Sequence, residues 1–419
     1  MGISALGWSG GILSVIVSDV MPASAFQPLM PEPRALAPLL AQAAVLIGEG
    51  HRLESVAGRM SDTLRPLLRA MNSYYTNKIE GQQTRPADIE RALHQQFDAD
   101  KKQARKQRLA LAHMAAEEEL EGALPSTRSD LYASRFVAHV HAALYRRLPS
   151  AERVSDDGLK IEPGAFRQTL VSAGRHLAPA ASEIPQLLDS WQERYASLPG
   201  LEQAVVGAMC SHHRLLWVHP FLDGNGRAAR LHTHIALTTL GLTRGLWSPL
   251  RGMAREQEAY YARLNNADLP KRNDLDGRGP LSQEELARFA SWMLELCLDQ
   301  ARFMRELLSL ESLKGRIREL LMSLGARPWS VGSETSVVKI EALEALHYVA
   351  LTGSVERARF MAMMGLQPRV ARRVLASLLD FGVLESATTR APVSFAVPFK
   401  SLRFLFPRLW PEAEADSEG

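Results

Sequence analysis

A glycine-containing break between two helical segments places the strongest limit on how this chain can fold. Residues 219–230 read HPFLDGNGRAAR and follow an apolar, helix-like run at 201–218. Gly224 and Gly226 permit a tight turn and a close approach of the backbone to a ligand, and a new helix begins just after them. The unpaired N–H groups at the start of that helix point back at the loop. The sequence therefore predicts a helix–loop–helix unit with an anion-binding loop.

The polar side chains of this loop are types that nucleotide chemistry uses. His219 is a candidate general base, because imidazole titrates near neutral pH. Asp223 is a candidate Mg²⁺ ligand, since Mg²⁺ takes one or two carboxylates together with phosphate oxygens. Arg227 and Arg230 lie three residues apart on one helix face, where both guanidinium groups can clamp phosphate. The sequence lacks the GxxxxGK[ST] and HExxH patterns, which excludes a Walker loop and a zincin site.

Composition indicates a globular protein of two or three folded units. Hydrophobic residues make up 46% and charged residues 23% of the 419 residues, and the net charge of +3 favours no particular partner. Cys210 and Cys297 lie in apolar runs, so we expect buried thiols in a reducing cytoplasm. No apolar run approaches the ~20 residues of a membrane span, so we expect no membrane partner. No Lys or Arg precedes Arg34, which leaves the N-terminus without the basic region of a signal peptide.

The periodicity of apolar residues indicates a mainly α protein. It divides the chain into a flexible N-terminal tail (1–30), an N-terminal helical region (31–125), a second helical region (126–310), a connecting helix and linker (311–335), a C-terminal module (336–412) and an acidic tail (413–419). A short hairpin is predicted within 163–179, with strand character at 169–172. In the C-terminal module, helices at 337–352, 355–364 and 368–381 precede β-rich segments at 383–386 and 393–397. That order is typical of a winged helix-turn-helix.

The loop also resembles the signature of a known family. HPFLDGNGRAAR is similar to the Fic (Fido) signature HxFx[DE]GNGRxxR and matches it at every signature position. The resemblance implies a Fic-type helical core with a β-hairpin flap. It also implies a protein adenylyltransferase that transfers AMP from ATP to a Ser, Thr or Tyr hydroxyl and releases diphosphate. It assigns the base to His219, the Mg²⁺ ligand to Asp223, and phosphate binding to Gly224, Asn225, Gly226, Arg227 and Arg230. A branch resembling the toxin Doc has lysine in place of Gly226 and transfers phosphate, so glycine here favours AMP transfer.

Two further segments resemble parts of the same family. The hairpin resembles the flap that aligns a target protein by strand addition, and the resemblance implies that Val171, Ser172, Ala173 and Gly174 face the nucleotide. Tyr260 and Tyr261 stand where the family often places aromatic residues near the adenine, although two core aromatics remain an alternative. Asp268 occupies a position at which some relatives have asparagine.

A third segment resembles the inhibitory motif [S/T]xxxE[G/N] of autoinhibited Fic proteins. Residues 76–81 read TNKIEG and match it at Thr76, Glu80 and Gly81. If Glu80 pairs with Arg230, the γ-phosphate of ATP loses its partner. In some autoinhibited relatives this glutamate also helps to remove AMP. The alternative is a solvent-exposed glutamate at the end of a helix.

The C-terminal module is more basic than the rest of the chain. Residues 355–408 include nine basic and three acidic residues, which gives this segment a net charge of +6. Arg369, Arg372 and Arg373 lie on the predicted recognition helix and Arg390 in the predicted wing, which favours duplex DNA as a partner. Docking of a protein, or of a second copy as a homodimer, stays open. The alternative function is therefore a DNA-binding transcriptional regulator whose Fic core senses nucleotide, but retention of His219 favours the enzyme.

Overall fold

The computed structural model describes residues 26–58, 60–155 and 157–416. Most of the predicted flexible tail, residues 1–25, lies outside the described residues. Residues 26–30 do not behave as a tail, because the side chains of Phe26, Leu29 and Met30 are buried. The Leu281 N–H also donates to the Gln27 carbonyl at 3.0 Å. The tail assignment is therefore incorrect for residues 26–30, whose apolar side chains belong to the core.

Helices dominate the described chain. Before residue 125 these are α1 (Pro33–Ala57), α2 (Met60–Ile79), α3 (Pro86–Leu93) and α4 (Lys101–Gly122). Between residues 126 and 309 they are α5 (Arg128–Leu131), α6 (Ser134–Tyr145), α7 (Ile184–Ala196), α8 (Gly200–Val218), α9 (Asn225–Thr239), α10 (Leu250–Arg255), α11 (Gln257–Ala267) and α12 (Gln283–Leu307). After residue 309 they are α13 (Leu310–Ala326), α14 (Leu343–Thr352), α15 (Arg357–Met363), α16 (Pro368–Phe381), α17 (Leu402–Leu405) and α18 (Pro411–Asp416). The predicted acidic tail is therefore helical through residue 416.

Several helices begin and end where local side chains dictate. The Asp100 side chain accepts from the Lys102 N–H at the start of α4, and Ser282 Oγ accepts from the Glu285 N–H at the start of α12. After α2, Gly81 has φ 67°, a left-handed conformation that glycine adopts without a Cβ clash. These local contacts help to define the helix ends.

The described chain forms two compact units that interleave in sequence. The first contains residues 26–50, 72–84 and 92–301, and the second contains 51–71, 85–91 and the residues from 302 onward. The chain passes from one unit to the other within α1, α2, α3 and α12 and in the loop that follows α2. Thr76 in α2 and Glu80 just after it thus belong to the first unit, together with most of the predicted core at 126–310.

The first unit is built around the pair α8 and α9. Helix α8 packs against α7 and α9, while α9 also packs against α6 and α4. Its hairpin consists of β1 (Ser172–Ala173) and β2 (His176–Leu177), paired antiparallel with Ser172 opposite Leu177. The predicted strand at 169–172 is therefore displaced, because the left-handed Gly174 (φ 59°) sets the turn.

The second unit contains a small antiparallel sheet. Strands β5 (Ser354–Val355), β6 (Leu384–Glu385) and β7 (Val393–Phe395) lie in the order β5–β7–β6. Helix α14 packs on β5 and β7, and α13 packs on α14 and α17. The sequence predicted α16 with its observed bounds but placed Val355 of β5 in a helix. It also missed a hairpin of β3 (Ser330–Val331) and β4 (Glu334–Thr335).

The two cysteines are buried and free. Burial raises the pKa of Cys210 to about 12, and it raises the pKa of Cys297 further. Within the described ranges, no helix combines the length and the apolar character that crossing a membrane requires.

Candidate functional site

A cleft in the first unit contains most of the residues that the sequence singled out. Its walls come from the loop after α8, the start of α9, the β1–β2 hairpin, α11 and the residue that follows α2. The predicted site residues that line it are Glu80, Ser172, Ala173, Gly174, His219, Asp223, Gly224, Asn225, Gly226, Arg230, Tyr260, Tyr261 and Asp268. The fold therefore brings the loop, the hairpin and the candidate inhibitory residue to one place.

His219 is held in a defined orientation and protonation state. It caps α8 in a left-handed conformation (φ 47°), which is strained for a residue with a side chain. Its Nδ1 lies 3.3 Å from the Leu216 carbonyl, which can only accept, so Nδ1 carries the proton. Burial, aided by the nearby charges of His176 and Arg167, lowers the pKa of His219 to about 3. The ring is therefore neutral at physiological pH, and Nε2 is its proton acceptor.

The glycine loop is braced by its own side chains. The Asn225 amide donates to the Phe221 carbonyl at 2.8 Å, and its oxygen accepts from the Phe221 N–H at 2.9 Å. Gly224 has φ 78°, and a Cβ there would lie 2.5 Å from the Tyr145 ring. Position 224 therefore requires glycine for both conformation and space. The N-terminal N–H groups of α9 are held toward the cleft.

Asp223 and Arg227 form one unit beside this loop. The Asp223 side chain is one-third exposed and lies 3.7 Å from Arg227 Nη2. Arg227 is buried, stands over the Tyr145 ring, and is not among the described residues that line the cleft. The role of Arg227 in phosphate binding stays a prediction. In this structure its guanidinium lies at ion-pair distance from the carboxylate four residues earlier.

Val171, another predicted nucleotide contact, is also absent from the described lining of the cleft. Its carbonyl accepts from the Ala178 N–H at 3.1 Å, which closes the hairpin. The hairpin residues that line the cleft begin with Ser172.

Arg230 is engaged by the segment that resembles an inhibitory motif. Its Nε donates to Thr76 Oγ1 at 2.9 Å, and its Nη2 donates to the Thr76 carbonyl at 3.2 Å and to Glu80 Oε1 at 2.5 Å. Arg230 is 1% exposed and the Glu80 side chain 28%. Burial raises the pKa of Glu80, but the charges of Arg230 and Arg227 outweigh it and hold that pKa below its usual value. Glu80 is therefore ionised and paired.

The Glu80 carboxylate also occupies space directly above Gly226. A methyl group on Gly226 would overlap Glu80 Oε1 and would lie 3.0 Å from Arg230 Nη1. Gly226 is part of the first turn of α9, where anions bind. The carboxylate of Glu80 therefore lies at the N-terminal turn of α9, where the helix dipole favours a negative charge.

The two tyrosines have different surroundings. Tyr260 is 1% exposed, and its hydroxyl lies 2.8 Å from His212 Nε2, as expected of a core aromatic residue. Tyr261 is half-buried, and its hydroxyl donates to the Ile79 carbonyl at 2.7 Å. The Gln257 amide donates to the same carbonyl at 3.0 Å, so α11 caps the last turn of α2.

Asp268 lines the cleft and pairs with two histidines. Its carboxylate oxygens lie 3.2 Å from His213 Nε2 and 3.6 Å from His176 Nδ1. Burial raises the pKa of Asp268, but the hydrogen bond from His213 and the neighbouring charges lower it overall. His176 lies in β2, so Asp268 connects α11's end to the hairpin.

Two residues that sequence reasoning passed over hold the site together. Arg167, 3% exposed, donates from its side chain to the carbonyls of His219 (2.8 Å), Thr169 (2.8 Å) and Pro179 (2.6 Å). It thereby ties the hairpin to the loop that begins with His219. The only sequence sign of it is the arginine that follows Phe166 in PGAFR.

His141 is the second such residue. Its Nδ1 accepts from the Gly164 N–H at 2.9 Å, so its Nε2 donates to the Asp223 carbonyl at 3.1 Å. The ring stacks on Phe221 at 3.9 Å between centroids. Burial lowers the pKa of His141 to about 4, which keeps the ring neutral.

The arginines of the C-terminal module divide into two groups. Arg369 and Arg372 on α16 are exposed, as is Arg390. Arg373 instead places Nε 3.0 Å from Glu334 Oε2 and donates to the Thr335 carbonyl at 3.2 Å. Its charge is therefore partly neutralised by β4.

Comparisons with known proteins identify similar sequences. Residues 132–237 match the family model described as Fic/DOC family. A Nematostella vectensis protein named protein adenylyltransferase Fic is 30% identical over 117 residues, which cover 28% of this chain and 26% of that protein. Protein adenylyltransferase fic-1 of Caenorhabditis briggsae is 34% identical over 123 residues, 28% of this chain and 22% of that protein. The matched segment thus spans about a quarter of these curated relatives.

Solved structures also resemble this chain. A Fic family protein from Desulfovibrio desulfuricans G20 superimposes with a TM-score of 0.48 at 18% identity, covering 89% of this chain and 99% of that one. Fic-1 (aa134–508) from C. elegans gives a TM-score of 0.47 at 18% identity, covering 64% of this chain and 73% of that one.

Proposed function

We propose that this chain, which contains a Fic domain, is a protein adenylyltransferase that transfers AMP from ATP to a Ser, Thr or Tyr hydroxyl of a target protein. The observation that carries the proposal is the position of His219. Its imidazole lines the same cleft as a carboxylate, a helix N-terminus and an arginine. Such a cleft suits a transfer from a polyphosphate to an alcohol.

The proposed reaction assigns one step to each group. His219 Nε2 takes the proton from the target hydroxyl as its oxygen attacks the α-phosphorus of ATP. The bond from the α-phosphorus to the bridging oxygen breaks, and diphosphate leaves with that electron pair. The N–H groups at the start of α9 and, once released, Arg230 stabilise charge on the phosphate oxygens. Most of the rate would come from positioning and charge neutralisation.

The residues of the loop fit a magnesium ion on the nucleotide. Asp223 offers one partly exposed carboxylate, oriented by Arg227, and Mg²⁺ commonly binds through one or two carboxylates plus phosphate oxygens. When bound there, Mg²⁺ would neutralise phosphate charge. The carbonyl of Asp223 is fixed by His141, which limits the movement of the carboxylate.

The same site is proposed to be autoinhibited by Glu80. An ionised carboxylate 2.5 Å from Arg230 Nη2 competes for the guanidinium that a terminal phosphate needs. The carboxylate also occupies the space above Gly226. Both effects turn ATP away from the in-line geometry. Hydrolysis of an existing AMP–protein bond, with Glu80 orienting water, is a second activity that we propose for the same arrangement.

The target protein is proposed to bind at the β1–β2 hairpin. Each of these strands has two residues, and an extended segment of a target could add beside them through backbone hydrogen bonds. Arg167 would keep that added strand in register with His219, because it bonds the hairpin and the His219 carbonyl at once.

Position-specific labelling of ATP tests the reaction. The Glu80→Gly protein is incubated with Mg²⁺ and ATP that is labelled at either the α- or the γ-phosphate. We expect stable protein labelling from the α-labelled nucleotide alone, and no labelling with Glu80→Gly/His219→Ala. Labelling from the γ-phosphate would instead identify a phosphotransferase. Absence of any His219-dependent labelling, in the protein or in added cell lysate, would refute the proposal.

A further inference from the structure

A buried cluster of histidines and glutamates lies outside the cleft in the first unit. His113, Glu117 and Glu121 follow one another at four-residue spacing on α4 and so share one face of that helix. His234 reaches them from α9. One ligand atom from each of Glu117, Glu121 and His234 lies within 4.8 Å of the other two. The adenylyltransferase chemistry proposed above uses none of these residues.

The distances within the cluster resemble those around one metal ion. His234 Nε2 lies 3.7 Å from Glu117 Oε1 and 2.9 Å from Glu121 Oε1, a hydrogen bond that a metal ion would replace. Zn²⁺ bonds of about 2.0–2.2 Å place neighbouring ligand atoms of a tetrahedral site roughly 3.3–3.6 Å apart. Small side-chain rotations would therefore bring these atoms to bonding positions.

His113 provides an independent indication. It is 1% exposed, and neither of its ring nitrogens has a hydrogen-bond partner within the described structure. Its Nδ1 points at Glu117 Oε2 across 3.7 Å, which is too long for a hydrogen bond but suitable for two ligands of one ion. A buried imidazole without partners is costly, and a metal would satisfy it.

We propose that His113, Glu117, Glu121 and His234 form a binding site for one divalent transition metal of the Zn²⁺ class. Two imidazoles with two carboxylates suit Zn²⁺, whereas Mg²⁺ and Ca²⁺ prefer oxygen ligands alone. Asn72 Nδ2 donates to Glu117 Oε1 at 2.8 Å and orients that ligand from outside.

The site lies one helical turn from the contact between Arg230 and Thr76. His234 follows Arg230 by four residues on α9, and Asn72 precedes Thr76 by four residues on α2. A metal held between α4 and α9 would fix the helix that carries Arg230. Its role would be structural, since the cluster is not among the described residues that line the cleft.

Metal binding is tested on the full chain with ZnCl₂ alone, after dialysis against a chelator. We expect one equivalent of zinc retained through gel filtration and a higher melting temperature when zinc is added. His113→Ala and His234→Ala should each weaken binding by tenfold or more. The matched control is His139→Ala, because the exposed His139 pairs with the partly exposed Glu119 at 3.2 Å on neighbouring helices. That variant should keep full binding.

A second measurement avoids reliance on variants that fold poorly. Wild-type protein loaded with Co²⁺ should show visible absorption typical of nitrogen and carboxylate ligands in a site of low coordination number. Failure of the wild type to retain zinc would overturn the proposal. Equal retention by wild type, His113→Ala and His234→Ala would do so as well, because it would place the ion elsewhere. None of these outcomes depends on whether the chain transfers AMP.

Discussion

Replacing Glu80 by glycine should release Arg230 and increase auto-adenylylation. Arg230 is almost fully buried, and its Nη2 lies 2.5 Å from the carboxylate, so the pair is a charge-assisted hydrogen bond in a region of low water content. Such a bond to a charged group contributes about 1.5–3 kcal/mol. Because every 1.4 kcal/mol is a factor of ten, the expected increase is about 10- to 150-fold.

The graded variant Glu80→Gln separates charge from volume. Glutamine keeps the atoms above Gly226 but removes the negative charge. A neutral hydrogen bond contributes about 0.5–1.5 kcal/mol, so the pairing with Arg230 weakens without disappearing. We therefore expect labelling by Glu80→Gln to fall between that of the wild type and that of Glu80→Gly.

Initial rates of incorporation from α-labelled ATP, at saturating Mg²⁺ and equal protein concentration, measure the effect. Gln83→Gly serves as the matched control, since it adds the same backbone freedom to the loop after α2 at an exposed position. Its rate should equal that of the wild type. Equal rates for the wild type and Glu80→Gly would refute the reasoning. A similar increase in Gln83→Gly would show that loop mobility, and not the pairing with Arg230, restrains the reaction.

Three more results are expected. Because burial lowers the pKa of His219 to about 3, its ring should stay neutral as pH falls from 8 to 5. Its NMR resonance, assigned by its loss in His219→Ala, should therefore not shift over that range, and a titration midpoint near pH 6.5 would contradict this. Arg167→Ala should lower the free energy of unfolding in urea by about 3 kcal/mol or more, with partial recovery in Arg167→Lys, because several backbone acceptors lose a charged donor. If the C-terminal module binds duplex DNA, Arg369→Ala/Arg372→Ala should abolish a salt-sensitive gel shift that Arg373→Ala largely keeps, and no shift at low salt would exclude this partner.

Local features of the site were accessible from sequence because their determinants are contiguous. The turn at Gly224 and the start of α9 depend on residues within the loop itself, so the pattern of 219–230 was enough. The approach of Glu80 to Arg230 was different. It joins residues 150 positions apart, and only resemblance to a family's inhibitory motif indicated it.

The features missed by sequence reasoning depend on partners far away in the chain. Strand β5 has two residues and gains its pairing from β7, so residues 354–355 alone do not indicate a strand. The same holds for His141 and Arg167. A single polar residue in a sequence gives no sign of which backbone carbonyl it will reach. Both side chains bond to carbonyls of the loop at 219–224.

Tyr261 and Gln257 donate hydrogen bonds to the Ile79 carbonyl and so connect the cleft to the end of α2. Tyr261 lines the cleft, while Ile79 is the last residue of the helix that presents Glu80. A nucleotide base that moved the Tyr261 hydroxyl would weaken the cap on α2 and so favour its fraying. By reciprocity, any partner that loosened the end of α2 would change nucleotide affinity by the same factor. Inhibition in this chain would then be a coupling free energy between two binding events, which a partner protein could set without touching the cleft.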